Sequence, residues 1–183
     1  AEGNYPLDRA ARHPAYLSLA FLTAPMNTEA QEIDSKNFEK MLLEARKMFD
    51  YIFLDAPAGV DAGFRLAAKF ADRFLVVTGP GPAAVRDAAR VGELLELKGK
   101  KDARLVVNRV DKNMLSILKM TIDDVMDTAG LPLIGIVMED SDLPLPAACG
   151  LPLLRFSKRS AAVKSYTKIA SRIQGIPEPI SFR

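Results

Sequence analysis

Four apolar residues, Tyr51-Ile52-Phe53-Leu54, run directly into Asp55, and Gly59 follows four positions later. A carboxylate delivered to the end of an apolar strand suits a magnesium ion, usually held through water beside nucleotide phosphates. A glycine just beyond lets backbone approach a terminal phosphate and move when that phosphate leaves. The same residues also fit an aspartate that simply caps the next turn. Asn108 closes a second apolar run; its amide donates and accepts, as reading an adenine edge requires, and it equally suits a turn after a strand. Glu139 and Asp140 close a third run and would serve as plain helix-capping acids. What unites these residues is joint placement. In open parallel sheets ligands bind at the carboxyl ends of the strands, and Asp55, Thr78-Gly79, Asn108-Arg109 and Met138-Glu139-Asp140 all stand where an apolar run stops.

The elements that must hold them are strands alternating with helices. Leu17 to Leu22 has strand length, in a chain whose first fifteen residues read as an irregular leader. Asp34 or Ser35 then caps a helix whose apolar residues are Phe38, Met41, Leu42, Ala45, Met48 and Phe49. The Tyr51–Leu54 run is apolar throughout, as in parallel sheets covered on both faces. A helix from about Gly63 to Ala71 leads to strand Phe74–Thr78, and Pro82 opens a helix to about Leu97 with Val85, Ala88, Ala89, Gly92 and Leu95 inward. Strand Ala103–Asn108 follows. Thr121 caps a further helix, with Asp124 as a capping-box acid, and Gly130 and Pro132 end it. Leu133–Val137 is the next strand, 141–149 a short helix, and Ser160 to about Gln174 the last helix, with Val163, Tyr166, Ala170 and Ile173 inward. The expectation is a single α/β domain, with a mostly parallel sheet, helices on both faces, and a tail over 176–183.

Composition narrows the classes. The 183 residues are 49% hydrophobic and 26% charged with a net charge of +2, ordinary for a globular domain and too weakly basic to point to nucleic acid. The lone cysteine, Cys149, excludes an intrachain disulfide and suits a reducing cytoplasm. The lone histidine, His13, reads as a loop residue, and a metal site would need more ligands than it finds. No run approaches the ~20 apolar residues of a membrane helix. No G-x-G-x-x-G follows a strand, which argues against hydride transfer.

The run DYIFLDAPAGVDAGFRLAAKFADRFLVVTGPGPAAVRDAAR resembles the segment from the Walker B strand onward in the bacterial MinD proteins, within the ParA group of P-loop ATPases. The matching features are the D-x-PAG turn at Asp55–Gly59, the Gly63-Phe64 pair, the Val76-Val77-Thr78 strand and the Val85-Arg86-Asp87-Ala88 helix. The resemblance continues through LVVNRV, the helix MTIDDVMDTAGLPLIGIV, VMEDSD and the terminal helix near Gly175.

The resemblance implies a nucleotide-binding domain of the P-loop NTPase kind, with ATP or ADP and Mg²⁺ as cofactors. It makes Asp55 the Walker B aspartate and Ala58-Gly59 the switch II turn. Asn108 and Arg109 match the pair at the adenine. Residues 138–140, with Glu139 and Asp140, match the loop whose backbone also touches the base, although Met138 replaces the family's usual proline. The helix bearing Arg86, Asp87 and Arg90 matches a face that pairs with a second subunit and with regulatory partners; taken singly these residues also fit a solvated charged face. The implied activity is ATP-dependent dimerisation at the inner face of the membrane, with MinC and in many bacteria MinE, to place the division septum. The implied location is cytoplasmic and peripheral to that membrane.

The pattern G-x-x-x-x-G-K-[ST] is not among these residues; the single Gly-Lys pair, Gly99-Lys100, has Leu94 where the first glycine belongs. Backbone amides and a lysine on the β- and γ-phosphates supply most of the grip on a nucleotide. Two expectations follow. These 183 residues alone turn over no ATP, and the natural protein is longer, because a sheet without the strand that feeds the P-loop leaves unpaired edges. The last residues, Ile176–Arg183, hold two prolines and no amphipathic period, so membrane attachment is implied by family only. Two other readings stay open: a non-hydrolysing interaction module with the same fold, and a ParA-type ATPase for plasmid partition or flagellar placement.

Overall fold

The computed structural model describes residues 7, 10–14, 16–23, 33–141, 143, 148–149, 152–157 and 160–180. The expected helix over 141–149 and the end of the tail fall largely outside them. The chain divides into two compact units, Ala1–Ala71 and Asp72–Arg183.

In the first unit, β1 (Ala11–His13) pairs antiparallel with β2 (Tyr16–Phe21). The leader is therefore not wholly irregular: His13 lies in β1, half-buried, with its ring 5.1 Å from that of Tyr16. Helix α1 (Ser35–Ala45) starts at Asp34, whose carboxylate accepts from the Asn37 amide at 2.7 Å. Helix α2 (Ala62–Phe70) meets α1 through the tilted rings of Phe38 and Phe70, 5.5 Å apart, and through Lys69 Nζ donating to Ser35 Oγ at 2.6 Å. Leu42 and Ala45 are buried as their spacing predicts, whereas Met48, past the end of α1, is exposed. Residues 51–57 carry no strand pairing, contrary to the expected strand. An apolar run becomes a strand only when a neighbour accepts and donates its backbone hydrogen bonds, and no described residue does so. Tyr51, Ile52 and Phe53 are accordingly exposed.

The second unit is built on three parallel strands in the order β3–β4–β5: β3 (Phe74–Thr78), β4 (Ala103–Val110) and β5 (Leu133–Met138). Each falls on its apolar run, with Phe74 opposite Ala103 and Thr78 opposite Val107. Between β3 and β4 runs α3 (Pro82–Leu97); between β4 and β5 run α4 (Lys112–Leu118) and α5 (Ile122–Ala129). Beyond β5 come α6 (Leu153–Phe156) and α7 (Ala161–Ile173). The central strand is the most buried: Leu105, Val107 and Val110 have no exposed surface. Each such side chain contributes about 1.5–3 kcal/mol relative to leaving it in water. Val85, Ala88 and Leu95 of α3 are buried, and α3 packs on β3 and on α5. Thr121 accepts from the Asp124 amide and the Asp124 carboxylate accepts from the Thr121 amide, a complete capping box; Gly130 ends α5 at φ +63°.

On β5 lies α7. Val106 and Val137 form one cluster with Ala162 and Ile169, with Ile134 and Ile173 packed against it. The inward stripe of α7 is thus Ala162, Val163, Ile169 and Ile173, while Tyr166 and Ala170 face solvent, a rotation from the predicted stripe. Gly135 is the reason. A Cβ built there would lie 2.2 Å from Ile169 Cγ1, so the absent side chain makes the space that Ile169 fills. Past α7 the chain turns back. Arg172 donates from Nη1 to Ile134 O at 2.6 Å, from Nε to Glu178 O at 3.0 Å and from Nη2 to Pro179 O at 2.8 Å. Arg73 Nη1 meets the Ile173 carbonyl at 3.0 Å and its Nε pairs with Asp102 at 2.9 Å.

Candidate functional site

The carboxyl ends of β3, β4 and β5 are neighbours on one rim because the strands are parallel and adjacent. At the first, Thr78 is buried and its hydroxyl donates to the Gly79 carbonyl at 3.0 Å. At the second, the β4–β5 register shifts between Val107 and Val110, which sets Asn108 and Arg109 out of the ladder. Asn108 is half-buried. Arg109 takes φ +56°, a left-handed conformation that a side chain with a Cβ resists. The ladder closes again beyond it, where the Glu139 amide donates to Val110 O at 3.0 Å. A backbone held away from its preferred region by its surroundings is a mark of functional sites.

Arg109 and Glu139 meet across the rim, with Nε to Oε2 at 2.9 Å. Glu139, through its hydrogen bond and then its charge, raises the Arg109 pKa further above the usual guanidinium value. Both side chains remain open to water, at 75% and 44% exposure, so the pair orients more than it stabilises. Asp140 turns the other way. Its Oδ2 accepts from Ser160 Oγ and from the Ala162 amide, the latter at 3.2 Å, placing a carboxylate at the N-terminus of α7. Ser160 is buried, and its Oγ also accepts from the Val163 amide at 3.2 Å.

Asp55 and Gly59 belong to the first unit. Asp55 is exposed, and no partner for its carboxylate is found among the described residues. Gly59 takes φ +99°, open only to glycine at low cost, with no atom within 4 Å of where a Cβ would stand. Among the described residues no three His, Cys, Asp or Glu cluster as a metal cage. Magnesium does not ask for one, since it is commonly held by one or two carboxylates, waters and phosphate oxygens, which the exposed oxygens of Asp55 fit. Arg86, Asp87 and Arg90 lie exposed on α3, opposite its buried side. A hollow of about 510 Å³ lies instead around Arg172 and residues 175–179, at the amino end of β5.

No family model matches the chain. A septum site-determining protein MinD of Synechocystis is 35% identical over 159 residues, which is 86% of this chain and 60% of that protein. A putative MinD of Nephroselmis olivacea is 35% identical over 182 residues, 97% of this chain and 66% of that protein. A chain of a MinC:MinD cell division protein complex from Aquifex aeolicus superposes with a TM-score of 0.88 at 30% identity, over 99% of this chain and 73% of that one. The chain belongs to the MinD family. It spans 60% and 66% of the two curated relatives. A Pyrococcus horikoshii MinD complexed with Mg-ADP shares the fold, at TM-score 0.67 and 20% identity over 78% of this chain and 58% of that one.

In this member of the MinD family the rim of the second unit brings Asn108, Arg109, Glu139 and Asp140 to adjoining strand ends, and both acids are engaged within the fold. Ser160 was not among the site residues expected from sequence. Its place before an apolar helical stripe marks a helix start, but nothing local ties it to an acid twenty positions earlier. Among the described residues no helix is long and apolar enough to cross a membrane.

Proposed function

We propose that this chain is the larger part of a MinD-type ATPase, which with the remainder of the natural protein binds ATP and Mg²⁺, dimerises and helps place the division septum. The observation that carries this reading is Arg109, held at positive φ beside Asn108 at a parallel-strand end and pinned by Glu139, in a chain of MinD-family sequence. Asn108, Arg109 and the backbone of 138–140 take the adenine. Asp55 would hold magnesium through water, where the ion would supply charge stabilisation to the nucleotide phosphates. Gly59 gives the turn near the γ-phosphate the freedom to move. The α3 face with Arg86, Asp87 and Arg90 serves the partner copy and MinC, with MinE as a further partner, and the assembly works in the cytoplasm against the inner membrane surface.

The test takes the natural gene product. Magnesium-dependent ATP hydrolysis, ATP-dependent dimerisation and co-sedimentation with MinC and anionic vesicles are the expected results. A product that forms the MinC complex without binding nucleotide would instead support the interaction-module reading. One that binds nucleotide but ignores MinC would support a ParA-type partition or flagellar-placement role.

A further inference from the structure

We propose that Ser160 is a positioning residue for base recognition, acting through Asp140; this rests on the nucleotide-binding reading above. The loop after β5 is fastened from two sides. From β4, the Glu139 amide is bound to Val110 O and the Glu139 carboxylate to Arg109. From α7, Ser160 Oγ and the Ala162 amide both donate to Asp140 Oδ2. Ser160 is the hinge pin of the second fastening, because one hydroxyl caps α7 by accepting from Val163 and donates to Asp140. The start of α7 is a firm anchor, with Ala162 and Val163 buried and Ile169 seated over Gly135.

The consequence concerns how a base is read. The Glu139 and Asp140 carboxylates already have partners, so recognition at this strand end falls to the peptide groups of 138–140 and to the Asn108 amide. Peptide groups discriminate between 6-amino and 6-oxo purines only while their positions hold to a fraction of an ångström, since a hydrogen bond weakens steeply with distance and angle. Removing the Ser160 hydroxyl leaves the Asp140 carboxylate one donor short and loosens the loop at that side, with the Ala162 amide still bound. Groups that bind phosphate, being elsewhere, keep their grip.

The experiment measures dissociation constants for non-hydrolysable ATP and GTP analogues on the natural gene product and its variants. Ser160→Ala should lower the preference for ATP over GTP about fivefold, the scale of one net hydrogen bond. Asp140→Ala, which gives up the Ala162 bond as well, should lower it at least as much, and the double variant no more than Asp140→Ala alone. Ser160→Thr, which keeps the hydroxyl, should restore the preference. Ser165→Ala removes a hydroxyl that only meets the Ala161 carbonyl of its own helix and should leave the preference unchanged. If the parent protein prefers ATP and Ser160→Ala prefers it equally, the role given to Ser160 is wrong. Additive losses in the double variant would overturn it too. A parent that binds neither analogue overturns the nucleotide reading itself, and the role of Ser160 falls with it.

Discussion

Gly135 lies so close beneath Ile169 that no side chain fits between them: a Cβ would stand 2.2 Å from Ile169 Cγ1 and 2.7 Å from its Cδ1. The contact sets how near α7 comes to β5 and which of its faces points inward. Gly135→Ala should therefore destabilise the second unit by about 1–3 kcal/mol, the usual cost of overpacking. Urea unfolding checks this, and Ile169→Val in the same chain should recover part of the loss.

Thr121 and Asp124 form the complete capping box of α5. Thr121→Ala removes the hydroxyl that accepts from the Asp124 amide and should cost about 0.5–2 kcal/mol. Thr121→Ser should cost much less. Equal losses in the two variants would show that the hydroxyl bond contributes nothing.

Asp102 binds Arg73 at 2.9 Å and Arg104 at 3.2 Å, and its pKa is lowered chiefly by the hydrogen bond from Arg73, against the opposing effect of burial. The folded pKa is below the unfolded one, so the stabilisation is present above the ordinary carboxylate pKa and is lost as pH falls through the lower folded value. Exposure of both arginines keeps the effect small. Asp102→Asn should lower stability slightly at neutral pH and converge with the parent in acid, which flattens the acid limb of the stability profile below about pH 4. A limb of unaltered slope would count against the pair.

Asp55→Asn in the natural gene product keeps the shape of the side chain and removes its charge. Under the proposed function, magnesium-dependent ATP hydrolysis should fall by about 10²-fold or more, as when a pre-placed electrostatic group is removed. Thermal unfolding should scarcely change, because Asp55 is exposed. Retained hydrolysis would remove Asp55 from the magnesium site.

Much of the second unit was legible in the sequence because its strands are written as apolar runs, and the central one is buried on both faces. Phe74–Thr78 is matched to the residue, and Ala103–Asn108 and Leu133–Val137 each extend at the carboxyl end. Caps were legible because they are local, as at Asp34 and Thr121. Three features were not. The phase of α7 is ambiguous when Ile169 and Ala170 are adjacent apolar residues, and Gly135 on another element decides it. Short α4 is marked only by its Asp111 cap and buried Leu115, with Met114 and Ile117 exposed and no clear apolar face, and it was not foreseen. The Tyr51–Leu54 run shows apolar character plainly, but pairing depends on a neighbour that composition does not reveal. At the rim, Asn108, Arg109, Glu139 and Asp140 were readable as residues at strand ends. The left-handed turn at Arg109 and the use of Asp140 to hold α7 arise from register and packing across distant segments.

Arg172 joins carbonyls of two separate segments, one at the start of β5 and two consecutive ones after α7. Mechanically this makes the guanidinium a strain relief. A pull applied near residue 180 is carried through Arg172 into β5, so the load bypasses the last turn of α7. The same three bonds fix the path of Glu178 and Pro179 relative to the strands.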